Sequence, residues 1–87
     1  MQVDWNETAL DQLASIYLAS PPEMRDEITR ASDEIEKRLS RNGVNEGESR
    51  AGIIRILFHD FLIIDFAIQP TGTIEILKVR PNRPARG

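Results

Sequence analysis

Six side chains carry most of the chemistry this sequence could perform: Arg50, Arg55, His59, Asp65, Arg80 and Arg83. Guanidinium groups grip phosphates or carboxylates through paired hydrogen bonds, and an imidazole exchanges protons near neutral pH. Phosphoryl-transfer chemistry needs a proton acceptor, a proton donor and cations around the developing charge. The arginines supply only the cations. His59 is the sole histidine, and no residue beside it in the sequence would orient it, so its plainest reading is a turn residue. Arg50, in Gly47-Glu48-Ser49-Arg50, is most simply an arginine that pairs with Glu48 or caps loop carbonyls. Arg55, flanked by isoleucines, is either a site cation or part of a face on which a partner lies. Asp65 interrupts Leu62-Ile63-Ile64-Asp65-Phe66-Ala67-Ile68, and Arg55 across a hairpin is its simplest counter-charge. Catalytic roles stay unassigned among Arg55, His59, Arg80 and Arg83. The residues expected to bind a partner are Arg50, Arg55, Asp65, Arg80 and Arg83. The acids Asp26, Glu27, Asp33, Glu34 and Glu36 have no histidine at ligand spacing, so they read as a solvated face, and neither metal nor cofactor is expected.

These side chains belong to 87 residues of net charge −3 without cysteine, which excludes disulfide staples, thiolate zinc sites and cysteine nucleophiles. That length supports one core, expected over residues 1–80, with 81–87 as a flexible tail. Residues 1–49 hold five basic side chains against eleven acidic ones, and residues 50–87 hold six against three. Two layers of opposite charge would make the basic layer attractive to an acidic peptide, whereas the acidic total disfavours generic nucleic-acid binding. The first residues show no leader pattern, and every long apolar run is cut by a charge, so no membrane segment is expected.

The elements that must position the six follow from periodicity. Gln2 to Trp5 alternates, and Asn6 or Thr8 can cap a helix carrying Leu10, Leu13, Ala14 and Tyr17. Ser20-Pro21-Pro22-Glu23 fits a capping box opening a second helix, whose Met24, Ile28, Ala31, Ile35 and Leu39 share one face. Asn42-Gly43 should end it with a left-handed residue. Beyond Arg50 the period falls to two: strands around Ile54 to Phe58 and Leu62 to Ile68 meet at a turn near His59-Asp60, and Thr73 to Val79 follows Pro70-Thr71-Gly72. The expected order is β-α-α-β-β-β, an α+β domain with a helical hairpin on a twisted antiparallel sheet. Its expected core is Leu13, Tyr17, Ile28, Ala31, Ile35, Leu39, Ile54, Ile56, Leu62, Ile64, Phe66, Ile68 and Leu77.

Taken in order, Val3-Asp4-Trp5-Asn6-Glu7-Thr8-Ala9 with Leu13, the Ile28 to Leu39 helix, Gly47-Glu48-Ser49-Arg50, Arg55-Ile56-Leu57-Phe58 and Ile74-Glu75-Ile76-Leu77-Lys78-Val79 resemble the RelE/ParE superfamily of bacterial toxins, especially its plasmid-stabilisation, ParE-like branch. The resemblance spans almost the whole chain and rests on order and spacing. It implies a cognate antitoxin that wraps the toxin, and a cytoplasmic role in growth arrest. Two activities fit it. One is a ParE-like toxin that binds a protein target such as DNA gyrase. The other is a RelE-like endoribonuclease that cuts messenger RNA on the ribosome, or a catalytically silent relative. Arg55 stands where the ribonucleases carry a catalytic base or cation, and Arg80 and Arg83 follow the last strand where another arginine is common. Leu62-Ile63-Ile64 replaces their next strand arginine, and the tail has neither Tyr nor His, which favours the binding toxin. Arg50, Arg55, Arg80 and Arg83 are expected to converge at one end of the sheet as a single basic patch.

Overall fold

A computed structural model describes residues 1–43, 46–49 and 53–82. Asn6 caps the first helix through its side-chain oxygen, which accepts the Ala9 amide at 2.8 Å. Strand β1 (Val3–Trp5) thus leads into α1 (Glu7–Ala19) and, across a tight corner, α2 (Pro22–Asn42). That corner holds no capping box. Ser20 ends α1 instead, its hydroxyl donating to the Ile16 carbonyl at 2.7 Å, and Pro21 opens α2 without a side-chain cap. With two residues between the helices, the serine serves the turn it has just left.

Strands β2 (Glu48–Ser49), β3 (Ile54–Phe58), β4 (Leu62–Ile68) and β5 (Ile74–Pro81) form an antiparallel meander. β1 joins it in parallel beside β5, so the sheet runs β1-β5-β4-β3-β2 and is mixed rather than wholly antiparallel. The last strand continues past the expected Val79 to Pro81, and Asn82 is tied back to the β3–β4 turn through its amide and the Phe61 carbonyl at 2.9 Å.

The hairpin covers one sheet face. Ile28, Ala31, Ile35 and Leu39 of α2 are buried as their spacing requires, with Ala9 of α1 beside them. Opposite them lie Leu57, Leu62, Ile64, Phe66, Ile74, Ile76 and Val79. The expected core is corrected in three regions. Leu13 and Ile68 only edge it, and Tyr17 lies outside it, under Arg25, whose guanidinium sits 5.4 Å above the ring. Ile54 and Ile56 face away from the helices because both sides of β3 carry apolar residues, and pairing Leu57 with Ile64 selects the other side. Leu77 leaves the core through a β-bulge: the partner of Phe66 is Ile76 and that of Asp65 is Lys78, so Leu77 and Lys78 both turn outward before Val79 returns.

Gly43 has an ordinary right-handed backbone, not the expected left-handed one. Its missing Cβ instead makes room for the buried Ile74 side chain. Gly47 and Gly72 do take positive φ, 75° and 91°. A Cβ on Gly47 would lie 2.9 Å from both the Ile56 carbonyl oxygen and the Phe66 ring, whereas one on Gly72 would meet nothing within 4 Å. Gly47→Ala is therefore expected to cost about 2–4 kcal/mol, strain plus collision, and Gly72→Ala only about 1–2 kcal/mol. Urea denaturation of both variants checks this, and equal costs would show that the Phe66 contact yields freely.

A candidate docking face on the sheet

The face of the sheet turned away from the helices is organised by strand register into three rows. Ile54, Ala67 and Glu75 form the first, Ile56, Asp65 and Lys78 the second, and Phe58, Ile63 and Arg80 the third. Side chains directly opposite in a ladder share a face, so each row crosses β3, β4 and β5 in contact distance. β3 contributes only apolar side chains, Phe58 standing 48% exposed, while β4 contributes Asp65 and β5 contributes Glu75, Lys78 and Arg80. Arg80 donates from Nη2 to Asp65 Oδ1 at 3.2 Å, the carboxylate being 18% exposed and the guanidinium 52%. An ion pair so open to water is worth at most about 1 kcal/mol, yet it settles where Asp65 finds its counter-charge.

That counter-charge was expected to be Arg55. Arg55 lies opposite Phe66 instead and shares the helix-side face, where its Nη1 donates to the Glu46 carbonyl at 3.4 Å. Glu46 is also held at its carboxylate by Arg38 Nη2 at 2.8 Å. Arg55 thus reaches under the segment that joins α2 to β2, while Arg80 lies on the opposite face. The expected convergence of the two arginines does not occur. Arg50 and Arg83 lie outside the described residues.

His59 does have an orienting partner, one that adjacency in sequence could not name. Its Nε2 is 3.6 Å from Glu34 Oε1 on α2, its Nδ1 accepts the Phe61 amide at 3.4 Å, and its side chain is 11% exposed. The Asn82 side chain donates to the His59 carbonyl. The imidazole therefore sits where the β3–β4 turn meets the helical layer, on the far side of the sheet from Arg80. Arg55 lies at the other end of β3, roughly 13 Å along the strand. The described catalytic candidates form no acid–base pair around a shared cation. Among the described residues no three His, Asp or Glu side chains are placed to hold a metal ion.

What the three rows offer is a surface of aliphatic and aromatic side chains, with Asp65 among them and Glu75, Lys78 and Arg80 along β5. That composition suits a protein partner, whose apolar residues would cover β3 and whose carboxylates would meet Lys78 and Arg80. Phe58, Ile63 and Lys78 do not stand out in the sequence as site residues. Their types are plain, but only the register and the bulge assign them to a face. A separate cleft of 710 Å³ opens where the helical corner meets the β3–β4 turn, between Met24, Ile28, Phe61 and Pro81.

No protein-family model and no curated protein sequence matches the chain. Solved structures do. A chain of the chromosomal ParDE toxin–antitoxin system from P. aeruginosa superimposes with a TM-score of 0.76 at 21% identity, over 95% of this chain and 97% of that one. A chain of the toxin–antitoxin complex RelBE2 from Mycobacterium tuberculosis superimposes with a TM-score of 0.69 at 18% identity, over 93% of this chain and 90% of that one. The chain therefore has the RelE/ParE fold over nearly its full length, as its residues led one to expect.

Register makes one energetic distinction measurable. In double-mutant cycles, Asp65→Ala and Arg80→Ala should couple by about 0.5–1 kcal/mol, and Asp65→Ala with Arg55→Ala by less than about 0.3 kcal/mol. Coupling of the second pair as strong as the first would place Arg55 on the wrong face.

Proposed function

We propose that this chain is the toxin of a bacterial type II toxin–antitoxin module, working in the cytoplasm by holding an intracellular protein target, with DNA gyrase the leading choice, and neutralised by a cognate antitoxin. The observation that carries the reading is the helix-free sheet face. Ile54, Ile56, Phe58 and Ile63 make it a protein-docking surface, and its Arg80 is already engaged by Asp65. The likeness to chains of ParDE and RelBE2 assemblies supports the pairing with an antitoxin. No helix is long and apolar enough to cross a membrane among the described residues.

The partner-binding roles fall to Arg80 with Asp65 on this face, and to Arg55 on the reverse side of the sheet beside Glu46. Arg50 and Arg83, which lie outside the described residues, are partner contacts in the same reading. The ribosome-dependent ribonuclease is the second reading, and Lys78 beside Arg80 on the exposed face is what it would draw on. Fold likeness does not choose between them, because one fold hosts several chemistries.

Induced expression with and without the product of the neighbouring gene tests the proposal when DNA supercoiling and transcript cleavage are followed together. Growth arrest with altered supercoiling, intact transcripts and rescue by the neighbour is the expected result. Transcript cleavage at unchanged supercoiling assigns the ribonuclease activity instead. On the purified protein, Phe58→Asp should weaken binding of the antitoxin or target by roughly tenfold to a hundredfold, with the circular dichroism spectrum unchanged. Arg80→Ala should chiefly slow association and flatten its dependence on salt.

A further inference from the structure

The side of the hairpin that faces away from the sheet is not closed. Between α1 and α2 runs a groove of 370 Å³ lined by Leu10, Leu13, Ala14, Tyr17, Leu18 and Ile28. Leu10 is 50% exposed and Leu18 69%, unusual for leucines that the same helix could have turned inward. They stand with Ala14 at i, i+4 and i+8 of α1, the ridge along which helices most often pack on one another. The small residue sits midway between the two large ones. Turning a second copy of α1 about a two-fold axis at Ala14 brings each Leu10 against the other copy's Leu18, while the paired alanines let the backbones approach.

The charges obey the same symmetry. α1 carries Glu7 and Asp11 near its start and no base in its last turn. At its far end Arg25 supplies a cation, donating from Nε to the Tyr17 carbonyl at 3.2 Å and from Nη2 to the Leu18 carbonyl at 3.3 Å while covering the Tyr17 ring. In an antiparallel crossing the acids of one copy approach Arg25 of the other, at both ends at once. Interfaces between identical chains require this self-complementarity, and an unrelated helix would have no reason to match it.

We propose that α1 is a self-association surface on which two copies of this chain cross antiparallel over Leu10, Ala14 and Leu18. This goes beyond the toxin reading and does not depend on it, since the surface lies on the opposite side of the molecule from the sheet face.

The absence of cysteine makes a direct test available. Full-length Ala14→Cys should form a disulfide-linked dimer under mild oxidation at least about tenfold faster than Asp60→Cys, whose thiol would sit on the exposed β3–β4 turn. In sedimentation equilibrium the unmodified chain should approach twice its monomer mass as its concentration rises. Leu18→Glu should weaken that association about tenfold or more, with an unchanged circular dichroism spectrum. An unmodified chain that remains monomeric, or Ala14→Cys cross-linking no faster than the control, overturns the proposal. A dimer indifferent to Leu18→Glu places the interface elsewhere and overturns it too. A groove that gains protection from hydrogen exchange only on addition of antitoxin assigns the surface to that partner, and self-association over α1 is then likewise overturned.

Discussion

Burying Leu62, Ile64 and Phe66 under the helical hairpin fixes which way every strand of the sheet must face. β4 is the central strand, paired on both sides, and its three inward side chains are wholly shielded from water. At about 1.5–3 kcal/mol each, their burial greatly outweighs any surface ion pair in the molecule. Alternation then sends Ile63 and Asp65 outward, and the ladders carry the choice to Leu57 and Arg55 on β3 and to Ile76 and Val79 on β5. The rows on the outer face are the complement of this core, and of their members Ala67 is buried as well. A one-residue slip of β4 would bury Asp65 and expose Phe66, so the candidate docking face is held by hydrophobic packing on its reverse side.

How far the sequence reveals this depends on how one-sided each element is. In α2 the apolar residues occupy a single stripe between charges, and Ile28, Ala31, Ile35 and Leu39 are all buried accordingly. In β3 both faces carry apolar residues, so periodicity establishes the strand but has no means of orienting it, and the side on which Arg55 emerges is not legible. The bulge at Leu77 and Lys78 leaves no mark on composition, since an inserted residue in a strand looks like any other. The candidate site shows the same division. Asp65, Arg80 and His59 are recognisable as unusual, but their partners Arg80, Asp65 and Glu34 are set by the fold across 15 or more residues of sequence. Gly43 is a subtler case, in which the residue is conspicuous for the wrong reason. Its value lies in what it omits next to Ile74, not in the torsion it adopts.

The molecule also distributes charge unequally over its layers. The helices carry most of the acids, among them Glu34, which lies beside His59, and Glu36, which accepts from the Trp5 indole at the layer boundary. The sheet holds Lys78 and Arg80 at its exposed margin. The acidic helical side repels acidic segments, whereas on the sheet face Lys78 and Arg80 are matched by Asp65 and Glu75, so that face carries little net charge. The three apolar residues of β3 are then what a partner encounters there.

β1 lies in parallel beside β5, with Val3 opposite Ile74. Both helices and strands β2 to β4 separate the two strands in sequence, so β1 waits for β5 to be synthesised. At about 5–20 residues per second that interval is roughly 4–14 s. The inner side of β5 closes against α1 only then, when the Gln12 side chain accepts the Val79 amide at 2.7 Å. A nascent chain arrested before β5 can form its helices and the β3–β4 hairpin, yet it lacks Lys78 and Arg80 and has no strand to hold β1. The candidate docking face thus forms only once β5 has been made and has paired with β4, so a chain arrested before that strand does not present it.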